Sequence, residues 1–196
     1  RERVIFIGIR KDALRPEALS SLTSDGASEE YNPYPKPTHS ATVKGEGLLP
    51  IVTTEDMLEG LKEPEMSVDS SQQVFSKAKY MTSGQGQSEI KTDGLGPTIR
   101  SEHHGNIEFR RLSAEHGGKH FAELEAGLPE RRLTPRECAL IQTFPPDYKF
   151  VMKKPNGRGF LLSASGAYKI IGNAVPPVLA YHIAVRLQEL WQKYFY

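Results

Sequence analysis

The stretch beginning at Tyr168, YKIIGNAVPPVLAYHIAVRLQELW, constrains the fold most. Its apolar run breaks at Gly172 and Asn173, meets Pro176 and Pro177, and resumes as a segment in which Leu179, Ile183, Leu187 and Leu190 recur at helical spacing. Proline has no amide hydrogen and a preset φ, so it opens helices and does not continue them. The spacing predicts one helix from near Ser165, closed by Gly172 in a left-handed conformation, and a second opened by Pro176 or Pro177. Between them Asn173 offers a carboxamide, just before a helical turn whose first backbone donors lack partners within the helix. Such a corner is either a tight connection or the edge of a ligand site.

A second stretch, RRLTPRECALIQTFPPDY, reads as a capped helix. Thr134 is placed as the N-cap, Pro135 as the first helical residue, and Glu137 to return a bond to the cap. Cys138, Ile141 and Phe144 fall roughly on one side, and Pro145 with Pro146 is expected to end the helix. Capping and burial account for this segment apart from the doublet Arg131 and Arg132.

The opening RERVIFIGIR is apolar and β-branched enough over residues 4–9 to predict a largely buried strand. Alternation along that strand would put Arg1 and Arg3 on one face. A lone strand needs neighbours, and with no initiator methionine the expectation is a trimmed fragment or one subunit of a split protein. Residues 11–30 are mostly polar, and 31–47 read as a proline-bearing loop. TTEDMLEGL predicts a short helix capped by Thr53 and bounded by Gly60 or Pro64, and SQQVFSKAKY a second one. Residues 81–100 are glycine-rich and poor helix material, GNIEFRRL is a short strand, and a charged link runs to Glu130.

Composition narrows the function classes only a little. With 25 basic and 24 acidic residues the formal charge is +1, so nucleic acid is neither implied nor excluded by net charge. One cysteine among 196 residues rules out a disulfide framework and a Cys-rich metal centre. No apolar run is expected to be long enough to cross a bilayer and no cleavable signal is seen, so no membrane partner and an intracellular location are expected.

Three blocks in fixed order, RERVIFIGIR, RRLTPRECALIQTFPPDY and GNAVPPVLAYHIA, resemble the eighth, ninth and tenth conserved blocks of the bacterial DNA (cytosine-5) methyltransferases. GLGPTIRSEHHGNIEF looks like the Thr-apolar signature near the end of their target recognition domain. The resemblance implies an α/β fold: the C-terminal part of a Rossmann-like methyltransferase, contributing a strand and closing helices, plus a small irregular mixed α/β target recognition domain. It implies residues 1–12 as a strand of the catalytic domain, 13–130 as the recognition domain, 131–163 as a helix and link bracing the two, and 164–196 as helices returning to the catalytic domain.

By that resemblance Arg1 and Arg3 would be catalytic, donating to the flipped cytosine and holding the catalytic glutamate, with Arg3 the stronger of the two. Asn173, Ala174 and Val175 would border S-adenosylmethionine, largely through backbone and shape. Thr98 and Ile99 would lie near the major groove, with Arg100 a phosphate contact. The substrate would be specific double-stranded DNA in the bacterial cytoplasm, as part of a restriction-modification system, and no metal is needed.

The chemistry the resemblance implies needs a thiolate that adds to cytosine carbon 6 and a carboxylate beside it. The family's Pro-Cys, Glu-Asn-Val and glycine-rich cofactor loop do not occur in this sequence. Cys138, inside a helix, reads as a buried packing thiol. The chain alone is therefore expected to be inactive, and its partner to be an N-terminal catalytic half or subunit that carries those motifs. The alternative is a non-catalytic DNA-binding or regulatory module, and a third reading is an unrelated scaffold. SEHHG and EHGGKHF hold four of the six histidines, which read as solvated or DNA-facing, since Gly117 and Gly118 work against a helical metal pair.

Overall fold

A computed structural model of the chain describes residues 4–24, 26–42, 47–75, 87–101 and 107–196. In chain order the elements are α1 (Pro16–Thr23), β1 (His39–Ser40), β2 (Leu49–Pro50), α2 (Thr54–Leu58), α3 (Ser70–Gln73), β3 (Gln87–Glu89), β4 (Ile107–Arg111), α4 (Ala122–Glu125), β5 (Arg131–Arg132), α5 (Pro135–Ile141), β6 (Met152–Lys153), β7 (Phe160–Leu162), α6 (Ala164–Asn173) and α7 (Pro177–Tyr194). Two compact units result, Arg1–Pro50 with Pro177–Tyr196, and Ile51–Pro176.

In the first unit α1 and α7 share a small core of Leu14, Ala18, Leu190 and Tyr194, with Ile9 and Leu187 packed against it. Helix α1 lies in a stretch expected to be merely polar, although Pro16 at its first turn and Glu17 beside it are ordinary start signals. Arg15 clasps the end of α7: its backbone N–H donates to Tyr194 O and its Nε to Phe195 O, both at 2.8 Å. Arg186 donates to the carbonyls of Asn32 and Glu29 at 3.0 Å, and Tyr194 Oη to Tyr31 O at 2.6 Å. β1 and β2 pair in parallel over two residues each.

The predicted strand at residues 4–9 does not form. Residues 4–10 join no ladder, and Val4 and Phe6 are 79% and 89% exposed. Exposure still alternates residue by residue. The local pattern of a strand is therefore present, but a strand exists only when a neighbour takes its hydrogen bonds.

In the second unit a three-stranded sheet has the order β3-β4-β5, parallel between β3 and β4 and antiparallel between β4 and β5. Helices α5 and α6 pack together over a core that includes Leu58, Ile90, Ile99, Leu133, Cys138, Phe150, Tyr168 and Ile171. α2 is capped by Thr53 and Asp56 as a reciprocal box, and Gly60 takes φ 70 just beyond it. The second short helix is shorter than expected: it is capped by Asp69 and stops before the extended Val74, while residues 76–80 lie outside the described residues. β6 and β7 form a hairpin in what reads as a simple link, with Gly157 and Gly159 at positive φ in its turn.

Helix α5 has the expected start. Thr134 accepts from the Glu137 N–H, Glu137 returns a bond to the Thr134 N–H, and Pro135 opens the helix. Its end differs. Thr143 takes φ 68, and the Thr143 and Phe144 N–H groups turn back onto the Leu140 and Ala139 carbonyls, so the helix closes before Pro145 is reached.

By length and composition alone the span Ala164–Tyr194 is long and apolar enough to cross a membrane, with a window of mean hydropathy 1.3, contrary to the sequence expectation. It is two helices, because Ala174 is extended at φ −70, ψ 148.

Candidate functional site

Residues 92–101 form an irregular segment held on several sides within the second unit. The Glu55 N–H donates to Thr92 O and the Thr54 N–H to Gly94 O, each at 2.9 Å, so the start of α2 fixes its beginning. A Cβ at Gly96 would stand 2.4 Å from Cγ2 of Ile141 at the end of α5. Ile99 is 2% exposed and anchored in the core, leaving Thr98 half-buried and Arg100 exposed. The Ile99 side chain holds the segment down.

Gly172 meets the other end of the segment. The expectation that it closes α6 in a left-handed conformation is wrong: it lies inside α6 without a positive φ. A Cβ there would stand 2.4 Å from both Arg100 C and Ser101 N, and 2.8 Å from Arg100 O. The glycine is needed for close approach of main chain to main chain. Thr98, Ile99 and Arg100, and Asn173, Ala174 and Val175, which the sequence treats as separate sites, therefore adjoin at the last turn of α6.

The corner after α6 is held from α5. Gln142, 5% exposed, donates from Nε2 to Ala174 O at 2.9 Å and to Ile171 O at 3.2 Å. Asn173 and Val175 are exposed and Ala174 half-buried, so the corner presents a carboxamide beside an apolar side chain. Sequence reasoning missed Gln142, because nothing local distinguishes a glutamine at a helix end that is bonded across the fold from one that is solvated.

Beneath these segments lies a buried charge network. Arg131, with a side chain 2% exposed, donates from Nη1 and Nη2 to the two Glu137 oxygens at 2.8 Å, and from Nε and Nη2 to Glu63 at 2.9 and 3.1 Å. Arg111, 1% exposed, bonds Glu63 at 2.6 Å and Glu123 at 2.9 Å. Burial works to raise the Glu63 carboxyl, but Arg131 and Arg111 outweigh it and hold it below its ordinary range. Burial likewise opposes charge on Arg131, and Glu137 with Glu63 reverse that, so its pKa is raised. This network explains the Arg131 that capping left unaccounted for; Arg132 lies 5.2 Å over the Tyr168 ring. Thr134 Oγ1 also donates to Gln72 Oε1 at 2.5 Å, Arg136 Nε to Asp69 Oδ2 at 2.5 Å, and Tyr168 Oη to Leu133 O at 2.7 Å. The partners Glu63, Gln72 and Asp69 lie far away in sequence, and only the doublet of arginines hinted at them.

Cys138 is a packing thiol, as expected. It is 4% exposed, and burial pushes its pKa well up, with Glu137 and Glu108 adding to the effect. Burial also raises Glu108, against the pull of Arg132 and Arg100. His116 is not simply solvated: Nδ1 lies 2.8 Å from Glu130 Oε1 and 3.1 Å from Ser113 Oγ. Among the described residues no His, Cys, Asp and Glu group is arranged to hold a metal. Arg1 and Arg3, and His103 and His104, lie outside the described residues. A cavity of about 690 Å³ is lined by Glu55, Asp56, Glu59, Glu123 and His120, with Arg110 and Arg111 already paired to Glu123, so its lining is mainly acidic.

Comparison with known proteins identifies the family. The chain matches the family described as C-5 cytosine-specific DNA methylase over residues 1–189. It is 48% identical over 59 residues to the type II methyltransferase M.FnuDI of Fusobacterium nucleatum, covering 30% of this chain and 14% of that protein. With M.NgoPII of Neisseria gonorrhoeae the identity is 43% over 63 residues, covering 32% and 16%. With M.BsuRI of Bacillus subtilis it is 27% over 187 residues, covering 94% of this chain and 37% of that protein. The chain thus spans well under half the length of these relatives. On the strength of a match that runs through nearly all of its residues, the chain belongs to the C-5 cytosine-specific DNA methylase family.

Proposed function

We propose that this chain is the DNA-recognition and cofactor-pocket-completing part of a type II methyltransferase that moves a methyl group from S-adenosylmethionine to carbon 5 of cytosine in specific duplex DNA. The observation that carries the reading is the meeting of residues 98–101 with the last turn of α6 at Gly172. A target-facing segment and a cofactor-facing corner must adjoin if an extruded base is to reach a bound methyl donor. In this reading residues 13–130 contain the recognition domain, residues 131–163 brace it, and residues 1–12 with 164–196 belong to a Rossmann-like catalytic domain in a bacterial cytoplasm.

The corner suits one wall of an adenosyl pocket. Its exposed Val175 gives an apolar surface and Asn173 a hydrogen-bonding amide, while Ala174 O is already engaged by Gln142 and holds the backbone still. When bound, the cofactor supplies an electrophilic methyl group. This chain's part is to orient and enclose: Arg100 toward phosphate, Asn173, Ala174 and Val175 toward the cofactor, and Arg3, with Arg1, toward the carbonyl of the flipped cytosine and the catalytic glutamate. The nucleophilic cysteine and that glutamate come from a catalytic segment with Pro-Cys and Glu-Asn-Val, since Cys138 is buried. The outward Val4 and Phe6, and an apolar cavity of about 350 Å³ lined by Ile7, Ile9, Leu187, Trp191 and Phe195, support docking of that segment on the first unit.

The test is to combine the chain with the catalytic segment of a relative and measure transfer of labelled methyl groups to duplex DNA. Transfer by the mixture and not by the chain alone is expected. Sequence-specific binding without transfer would instead mark a regulatory DNA-binding module. In the active mixture Arg3→Ala should slow the transfer step more than it weakens duplex binding; equal loss of binding with unchanged turnover of bound DNA would remove Arg3 from the site.

A further inference from the structure

The last turn of α6 serves several neighbours at once. At Gly172 the main chain of Arg100 and Ser101 comes so close that a Cβ would stand 2.4 Å from it, and backbone cannot swing aside as a flexible side chain can. On either side of Gly172 the Ile171 and Ala174 carbonyls accept from the buried Gln142 amide. Gln142 is followed by Thr143 at φ 68, a left-handed conformation that a β-branched residue adopts only under constraint. Segments far apart in sequence, 98–101, 142–143 and 171–175, are thereby locked within one helical turn.

The geometry points to Gly172 as a positioning residue that seats residues 98–101 directly on the corner at residues 173–175, so that the two move as one rigid piece. A ligand that stills the corner then also stills the segment beside it. Ile99 alone would not do this, because a buried side chain can shift its rotamer while its backbone moves; contact between two backbones leaves no such freedom. The inference rests on the reading of Asn173, Ala174 and Val175 as cofactor-facing, and adds that cofactor binding orders the segment read as DNA-facing before DNA arrives.

Hydrogen exchange on the assembled, unmodified enzyme, with S-adenosylhomocysteine as the probe and no DNA, decides the matter. Amides of residues 171–175 and those of 95–101 other than Pro97 should both exchange more slowly, by at least about fivefold, near the lower end of ordinary site-to-site coupling. Those of Ile107–Arg111 should stay unchanged. Protection of 171–175 without any change in 95–101 overturns the inference and leaves the cofactor reading standing. Absence of protection at both overturns the cofactor reading, and the inference with it. Gly172→Ala should keep protection at 171–175 and lose it at 95–101; retained protection at 95–101 in a folded variant overturns the role given to the glycine. If that variant does not fold, the unmodified enzyme still decides.

Discussion

The two units of this molecule are stabilised by different means. Among the described residues of Ile51–Pro176 a core cluster of eleven stands beside two buried arginines that are both paired, Arg131 with Glu137 and Glu63, Arg111 with Glu63 and Glu123. Among the described residues of the unit of Arg1–Pro50 and Pro177–Tyr196 the buried core cluster has four members, and the long polar side chains bond to main-chain carbonyls at its rim. There Val4, Phe6, Trp191 and Tyr196 face outward. The contrast teaches that the second unit has its arrangement set from within, because buried charges are satisfied in only one geometry. The first unit holds together through helix contacts that leave much apolar surface uncommitted.

Breaking the network should have the largest effect. Arg131→Met strands Glu137, 2% exposed, and removes half of what neutralises Glu63, so unfolding of the second unit in urea should become easier by about 3–5 kcal/mol. A loss below about 1 kcal/mol would mean that the pairs are no stronger than exposed ones, and the comparison between the units would fall.

The same network has a pH signature. The Glu63 carboxyl is depressed in the folded chain, so its contribution is complete above the ordinary carboxylate value of about 4.3 and is lost as pH falls through the folded value. Glu130 behaves likewise: burial opposes ionisation, but Ser113 and His116 overcome it. Glu108 acts in reverse. Burial raises it, so its contribution is present below the ordinary value and declines as pH rises through the folded one. Urea midpoints measured from about pH 3 to 7 should show an acid limb that becomes shallower in Arg131→Met and is unchanged in its lower part by Glu108→Gln.

A smaller effect is expected at Thr134. Loss of the cap alone costs about 1 kcal/mol. Because Thr134 is fully buried and also donates to Gln72, Thr134→Ala should cost about 1–2 kcal/mol, and Thr134→Ser should recover most of it. The smallest effect belongs to the other unit. Phe6→Ser, at 89% exposure, should change the stability of this chain by less than about 0.5 kcal/mol, while weakening association with the catalytic segment proposed above. A large loss of intrinsic stability would show that the outward side chain is structural after all.

Much of the local architecture was legible in the residues. The capping box at Thr134 and Glu137, the one at Thr53, the proline start of α7 and the strand at Ile107–Arg111 all appear where short-range chemistry puts them. The errors share a cause. Residues 4–9 have a strand's composition and no ladder, α5 closes at Thr143 ahead of its prolines, and Gly172 stays helical because what it needs is space rather than a left-handed φ. Each depends on what another part of the chain brings alongside. The candidate site divides the same way: Thr98, Arg100, Asn173 and Val175 came from motifs, whereas Gln142, Glu63 and the contact of Gly172 with Arg100 appear only in three dimensions.

The sequence by itself determined where α2, α5 and α7 start, which thiol is inert and which family the chain joins, because caps, prolines and ordered motifs act over a few residues or by direct likeness. Tertiary structure alone decided which glycine is a contact point, which carboxylates neutralise Arg131, and that the two motif sites adjoin. Those outcomes depend on close packing and on long-range pairing of buried charge, and no spacing along the chain encodes either.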